Sequence, residues 1–79
     1  MDYLATFHTH YGALKFHQSL KNKEIPSQMM PVPRNLSASC GVCVKFQTET
    51  SQVWLDQEDL DQVVECVENH GYRTIYKSP

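Results

Sequence analysis

Three of the chain's four prolines, Pro26, Pro31 and Pro33, fall within eight positions. Proline has no amide hydrogen and a locked φ, so it ends helices and enters a sheet only at an edge or a bulge. The middle of the chain can therefore be neither helix nor central strand. It must be an edge strand or a loop, with regular structure on either side.

On the N-terminal side, Tyr3 to His8 is a short β-branched, aromatic and apolar run that predicts a first strand. Thr9 is a plausible N-cap for a helix over Ala13 to Lys21, with Ala13, Leu14, His17 and Leu20 close to one face. Pro26 stops that helix. Ser27 to Val32 predicts a second strand, which Pro31 assigns to a sheet edge. Residues 33–41 read as a loop. Val42 to Gln47 alternates cleanly and predicts a third strand. Thr48 to Leu55 is ambiguous: Val53-Trp54-Leu55 either continues a hairpin or covers a sheet face. Asp56 then predicts the cap of a second helix whose stripe is Leu60, Val63, Val64 and Val67, at i, i+3, i+4 and i+7, with Gly71 ending it. Tyr72 to Lys77 predicts a fourth strand.

The order β-α-β-β-α-β is the ferredoxin-like arrangement, an α+β fold with a four-stranded antiparallel sheet and two helices on one face. Right-handed crossovers make strands one and three the central pair and put strand two at an edge. Seventy-nine residues predict a single domain over 1–79, and 41% apolar residues suit two layers rather than a deep cavity.

A formal charge of −2 offers no basic field for nucleic acid. No apolar run approaches the roughly 20 residues of a membrane span, and Met1-Asp2-Tyr3 opens no signal peptide, so the expected location is cytoplasmic. Three cysteines, Cys40, Cys43 and Cys66, argue for reduced thiols rather than a disulfide framework.

Cys40 is the candidate reactive thiol. It follows Arg34, Ser37 and Ser39 and precedes Gly41, which leaves space for another molecule to approach. If the first and third strands are antiparallel neighbours, His8, Thr9 and His10 lie beside Cys40 and Gly41. The N-terminus of the first helix then sits at the same rim, where it favours a thiolate, the nucleophilic form. The competing reading is that Cys40 is a packed strand residue, the commonest fate of free cysteine.

Cys40-Gly41-Val42-Cys43 is also a C-x-x-C. On an extended chain its sulfurs stand roughly 10 Å apart on opposite faces, beyond the ~4.4–6.8 Å Cα separation a disulfide accepts, unless residues 40–42 turn tightly. Joined by His8 and His10, the two cysteines could instead hold a metal, although no second C-x-x-C or H-x₃₋₅-H supports that. His17 reads as a hydrogen-bonded core-boundary residue, His70 as a helix C-terminal residue and Cys66 as packing. Trp54 is a lid on the sheet in preference to a docking anchor.

Ile25-Pro26 and the stretch Pro31-Val32-Pro33-Arg34-Asn35-Leu36-Ser37-Ala38-Ser39-Cys40-Gly41, with Phe7, Thr9, Ala13-Leu14 and Leu20 before them, carry a resemblance. The chain resembles a small bacterial family of selenium/sulfur carrier-like proteins, most closely over residues 3–47. The resemblance implies a covalent carrier, without turnover of its own, whose thiol at Cys40 holds a persulfide or selenopersulfide. Arg34 would then steady the loop or the anion, with Ser37, Ser39, Gly41, Thr9 and His10 as further binding residues. Cys43 stands where small apolar residues are more usual and is a candidate second thiol. The implied partners are a sulfur or selenium donor protein and an acceptor enzyme. No cofactor is expected beyond the bound atom, and no resident metal. Pairing of two copies through the edge strand is a further expectation. Two other classes stay open: a metal-binding or thiol-redox module using Cys40 and Cys43 with His8 and His10, and a non-catalytic interaction domain.

Overall fold

The computed structural model of the protein describes residues 2–36, 40–49, 51–54, 56–67 and 71–78. The elements run β1 (Asp2–Phe7), α1 (His10–Asn22), β2 (Ser27–Pro31), β3 (Val42–Gln47), a 3-10 turn (Ser51–Trp54), β4 (Leu60–Val67) and β5 (Gly71–Lys77). The five strands form one antiparallel sheet in the order β2-β3-β1-β4-β5.

The first 47 residues follow the expected path. β1 and β3 are neighbours, with Thr6 opposite Cys43 and Ala5 opposite Val44. β2 lies at an edge, and the ladder shows why a proline can end it. Val32 donates to the Gly41 carbonyl at 3.1 Å and Gln47 to that of Pro26 at 3.2 Å. Even-numbered residues of β2 thus bond to β3, and odd-numbered ones turn their backbone groups outward. The amide that Pro31 lacks would have faced away from the sheet.

α1 begins where Thr9, in extended conformation, accepts a hydrogen bond from the Gly12 amide. It ends in a Schellman motif: Glu24 donates to the Lys21 carbonyl at 3.0 Å and Ile25 to that of Leu20 at 2.9 Å. The left-handed position is held by Glu24, φ 58°, rather than by glycine. The buried face is Gly12, Ala13, Phe16 and Leu20. Leu14, expected on that face, is 40% exposed, because a step of one residue from Ala13 turns it about 100° away from the core. His17 matches its expectation, half-buried with Nδ1 2.8 Å from Ser27 Oγ.

The ferredoxin-like expectation fails in the second half of the chain. There is one helix and a five-stranded sheet, and the segment expected to form the second helix is β4. A β-bulge supplies the reason. Thr6 pairs with Gln62 and Phe7 with Leu60, so Asp61 is an extra residue in β4. Residues three apart in a regular strand face opposite ways. The bulge returns Leu60 to the side of Val63, and both join the core beneath α1. Val64 faces the other way. A strand buried on both faces with one inserted residue thus reproduces the i, i+3, i+4 spacing of a helix, while its valines suit a strand better. Asp56 caps no helix, and Cys66 is a strand residue. Gly71, φ +83°, opens β5 opposite Val67 instead of closing a helix. His70 lies outside the described residues.

Two apolar clusters sandwich the sheet. Beneath α1, Ala5, Phe7, Phe16, Val44, Phe46, Leu60 and Val63 pack with Val53 and Trp54 of the 3-10 turn. Trp54 is 3% exposed, with its ring 5.4 Å from Tyr3 and 5.8 Å from Phe46. It is the expected lid. On the opposite face Leu4, Cys43 and Val64 are covered by Met30, Val32, Leu36, Cys66 and Tyr72. Among the described residues no helix is long and apolar enough to cross a membrane.

Candidate functional site

The β2–β3 connection is more than a turn. Leu36 donates to the Pro33 carbonyl at 3.0 Å, making a turn with Arg34 and Asn35 at its tip. Val32 and Leu36 lie on the face away from α1, over Leu4, Cys43 and Val64. Asn35 reaches β5, where its Nδ2 would lie 3.5 Å from a Cβ on Gly71. The proline-rich segment is therefore a strap across the second face of the sheet, and it delivers Cys40 to the end of β3.

Cys40 sits one residue beyond the last ladder bond, that of Gly41. It is partly exposed, unbridged, and a member of neither apolar cluster. Gly41 is exposed, and a Cβ there would meet nothing within 4 Å. Its φ is not positive, so the backbone does not require glycine there. Open space flanks the residue next to the thiol.

The other two thiols differ. Cys43 is buried, its Sγ 3.8 Å from the Pro31 carbonyl oxygen, and burial, aided by nearby Cys66, pushes its pKa up to about 11. Burial also raises the pKa of Cys66, partly offset by Lys45. Both are held toward the neutral, unreactive form. No disulfide joins any of the three. Among the described residues, no three His, Cys, Asp or Glu side chains converge to hold a metal.

The β1–β3 register, continued two residues from Thr6 and Cys43, brings His8 level with Gly41. His10, the first residue of α1, lines a depression of about 330 Å³ with Met29, Met30, Pro31, Gly41 and Val42. The rim expected from topology is therefore present, with His10 and Gly41 sharing one surface. Arg34 is exposed at the strap tip and makes no ion pair among the described residues. Ser37 and Ser39 lie outside the described residues.

One expectation about this rim needs correction. The start of α1 does not wait for a thiolate; it already holds a carboxylate. Asp59 Oδ2 accepts from the Thr9 amide at 3.0 Å and from the Thr9 hydroxyl at 2.5 Å, while Thr9 Oγ1 accepts from the Gly12 amide at 3.1 Å. The Asp59 carbonyl also accepts from the His8 amide at 3.0 Å. Asp59 thus occupies the place where the helix dipole favours an anion. The sequence reading missed it, although Gly12 was a signal. Glycine in the first turns of a helix costs stability and marks a close approach. A Cβ on Gly12 would overlap Asp59 Oδ2 and come within 2.8 Å of its Cβ and Cγ.

Neither a curated protein nor a solved structure matches the chain. A family model does, over residues 2–77. That span contains the strap, the rim and both sheet faces, and on it the chain belongs to the family described as Putative Se/S carrier protein-like.

Proposed function

We propose that the protein carries a sulfur or selenium atom covalently on Cys40 between a donor and an acceptor protein. The observation that carries the reading is the contrast among its thiols. Cys40 is partly exposed beside the open flank of Gly41 and outside both apolar clusters, whereas Cys43 is buried and Cys66, also partly exposed, packs against the second cluster, with the pKa of both raised by desolvation.

In loading, the Cys40 thiolate attacks the outer sulfur of a donor persulfide. A new S–S bond forms at Cys40, the donor's own S–S bond breaks, and the donor cysteine leaves as a thiolate. Electrons balance without an external oxidant. Delivery repeats the exchange with an acceptor thiolate. The selenium version replaces the outer atom and keeps the same bookkeeping. His10 lines the depression that reaches Gly41, the neighbour of Cys40, and an imidazole N–H there can donate a hydrogen bond to a departing thiolate. Arg34, unpaired among the described residues at the strap tip, supplies positive charge for an anionic cargo. Cys43 takes no part while β3 is intact.

The test is intact mass after incubation with a cysteine desulfurase and cysteine, followed by peptide mapping. The expected result is a gain of one sulfur on Cys40, lost in Cys40→Ser and retained in Cys43→Ser and Cys66→Ser. Equal loading of the wild type and Cys40→Ser would end the proposal.

A further inference from the structure

We infer that Asp59, fifty residues from Thr9 in sequence, is the positioning residue of the Cys40 rim, acting through His10; this rests on the carrier reading above. Two observations carry it. The first is the set of bonds that pins consecutive residues: the Asp59 carbonyl holds the His8 amide, its carboxylate holds the Thr9 amide and hydroxyl, and Thr9 in turn holds the Gly12 amide. His10 lies between these anchored residues, so the direction in which α1 leaves the sheet, and with it the backbone that carries the imidazole, is set at Asp59. The second is the notch at Gly12, where any side chain would collide with Asp59. Glycine in the first turn of a helix costs stability, and here its missing Cβ is what lets the Asp59 carboxylate come this close.

The consequence for chemistry follows from the depression that His10 shares with Gly41, the neighbour of Cys40. Sulfur transfer to Cys40 releases a thiolate. A hydrogen-bond donor fixed at the rim stabilises that leaving group only if it is already in place when the bond breaks. Asp59 touches neither sulfur. It holds the segment that carries the donor.

The experiment is a double-mutant cycle on sulfur transfer from glutathione persulfide to Cys40, using the full chain with Asp59→Ala, His10→Gln and both together. Asp59→Asn serves as the conservative variant, since its amide oxygen can still accept from Thr9. Asp59→Ala and His10→Gln are each expected to slow transfer roughly ten- to a hundredfold, the scale of a misplaced reacting group. The double variant should be no slower than His10→Gln alone, and Asp59→Asn should recover most of the rate. Native folding is checked by Cys43 remaining unlabelled by iodoacetamide. If Asp59→Ala does not fold, Thr9→Val, which removes the hydroxyl's bond to Asp59 and its cap on Gly12 but leaves the Thr9 amide bond, takes its place in the cycle. An Asp59→Ala rate equal to wild type, or an equal loss with and without His10, overturns the inference. The same variants are run in exchange with an aromatic disulfide reagent, which also releases a thiolate but needs no carrier activity. Loss of coupling there sinks the positioning role, whereas absent persulfide transfer in wild type sinks only the carrier reading.

Discussion

The thiol of Cys43 donates to the carbonyl oxygen of Pro31, Sγ to O 3.8 Å, and so ties the start of β3 to the last residue of β2 on the face covered by the strap. Burial of the thiol, with Cys66 nearby, keeps this sulfur neutral. With the folded pKa at about 11 against 9.0 for a free thiol, the native state binds more protons than the unfolded chain between those values. Cys43 therefore contributes stability that is fully present below about pH 9 and lost as pH rises through about 11. The loss is on the order of 2 kcal/mol. The raised pKa of Cys66 acts in the same direction. Urea unfolding at a series of pH values should show the decline, and Cys43→Ala should flatten most of it. An unchanged slope in that variant would mean that the alkaline loss comes from elsewhere.

Glu24 occupies the left-handed position after α1 with φ 58°, where a side chain is strained and glycine is not. Its side chain is exposed, so replacement removes no core contact. Glu24→Gly should raise stability by about 1 kcal/mol, less a few tenths for the added freedom of the unfolded chain. Thermal melting with unchanged Cys40 labelling is the check. A lower melting temperature would show that Glu24 makes a compensating contact.

Gly12→Ala gives the opposite sign from propensity. Alanine is the better helix former by about 1 kcal/mol, so a free helix would gain. Here the new methyl overlaps the Asp59 carboxylate, which must leave Thr9 to make room. The overlap costs about 1–2 kcal/mol, the scale of a lost N-terminal cap, against the ~1 kcal/mol that alanine gains, so the expected outcome is a net loss of up to about 1 kcal/mol. In the Asp59→Ala background the overlap is gone, and the same substitution should be neutral or stabilising. Equal losses in both backgrounds would place the cost of Gly12→Ala outside the Asp59 notch.

These contacts also show which parts of the fold a sequence can express. Thr9 as a cap, Pro31 at an edge and the alternation of Val42 to Gln47 are local signals, each decided within a few residues, and each is where the chain places it. The bulge at Asp61 is not local. It exists because Phe7 and Thr6 on a distant strand pair with Leu60 and Gln62, and without that partner the spacing of Leu60, Val63 and Val64 reads as a helix. Asp59 was hidden for the same reason, as its acceptor role is defined only by Thr9, fifty positions earlier. Cys40 was legible as a candidate because small polar neighbours and a glycine surround it. The burial of Cys43 required knowledge that a strap, and not solvent, covers its side of the sheet.

That strap supplies the last prediction. Leu36 is half-buried and, with Val32, packs the strap against the cluster of Leu4, Cys43 and Val64, while Phe46, on the other face, belongs to the core beneath α1. If the strap opens as a local unit, Leu36→Ala should free it without melting the sheet, since local openings cost less than global unfolding. The loss of stability should be about 1–2 kcal/mol, below the ~2–5 kcal/mol of a fully buried leucine. Labelling of Cys43 by iodoacetamide under native conditions should rise well beyond what that loss predicts for global unfolding. A milder core variant, Phe46→Leu, brought to matched stability, should leave Cys43 protected in proportion to its global stability alone. Were the two variants to expose Cys43 equally at equal stability, strap and sheet would open together. Cys40 could then not move toward a partner without unfolding the strand behind it.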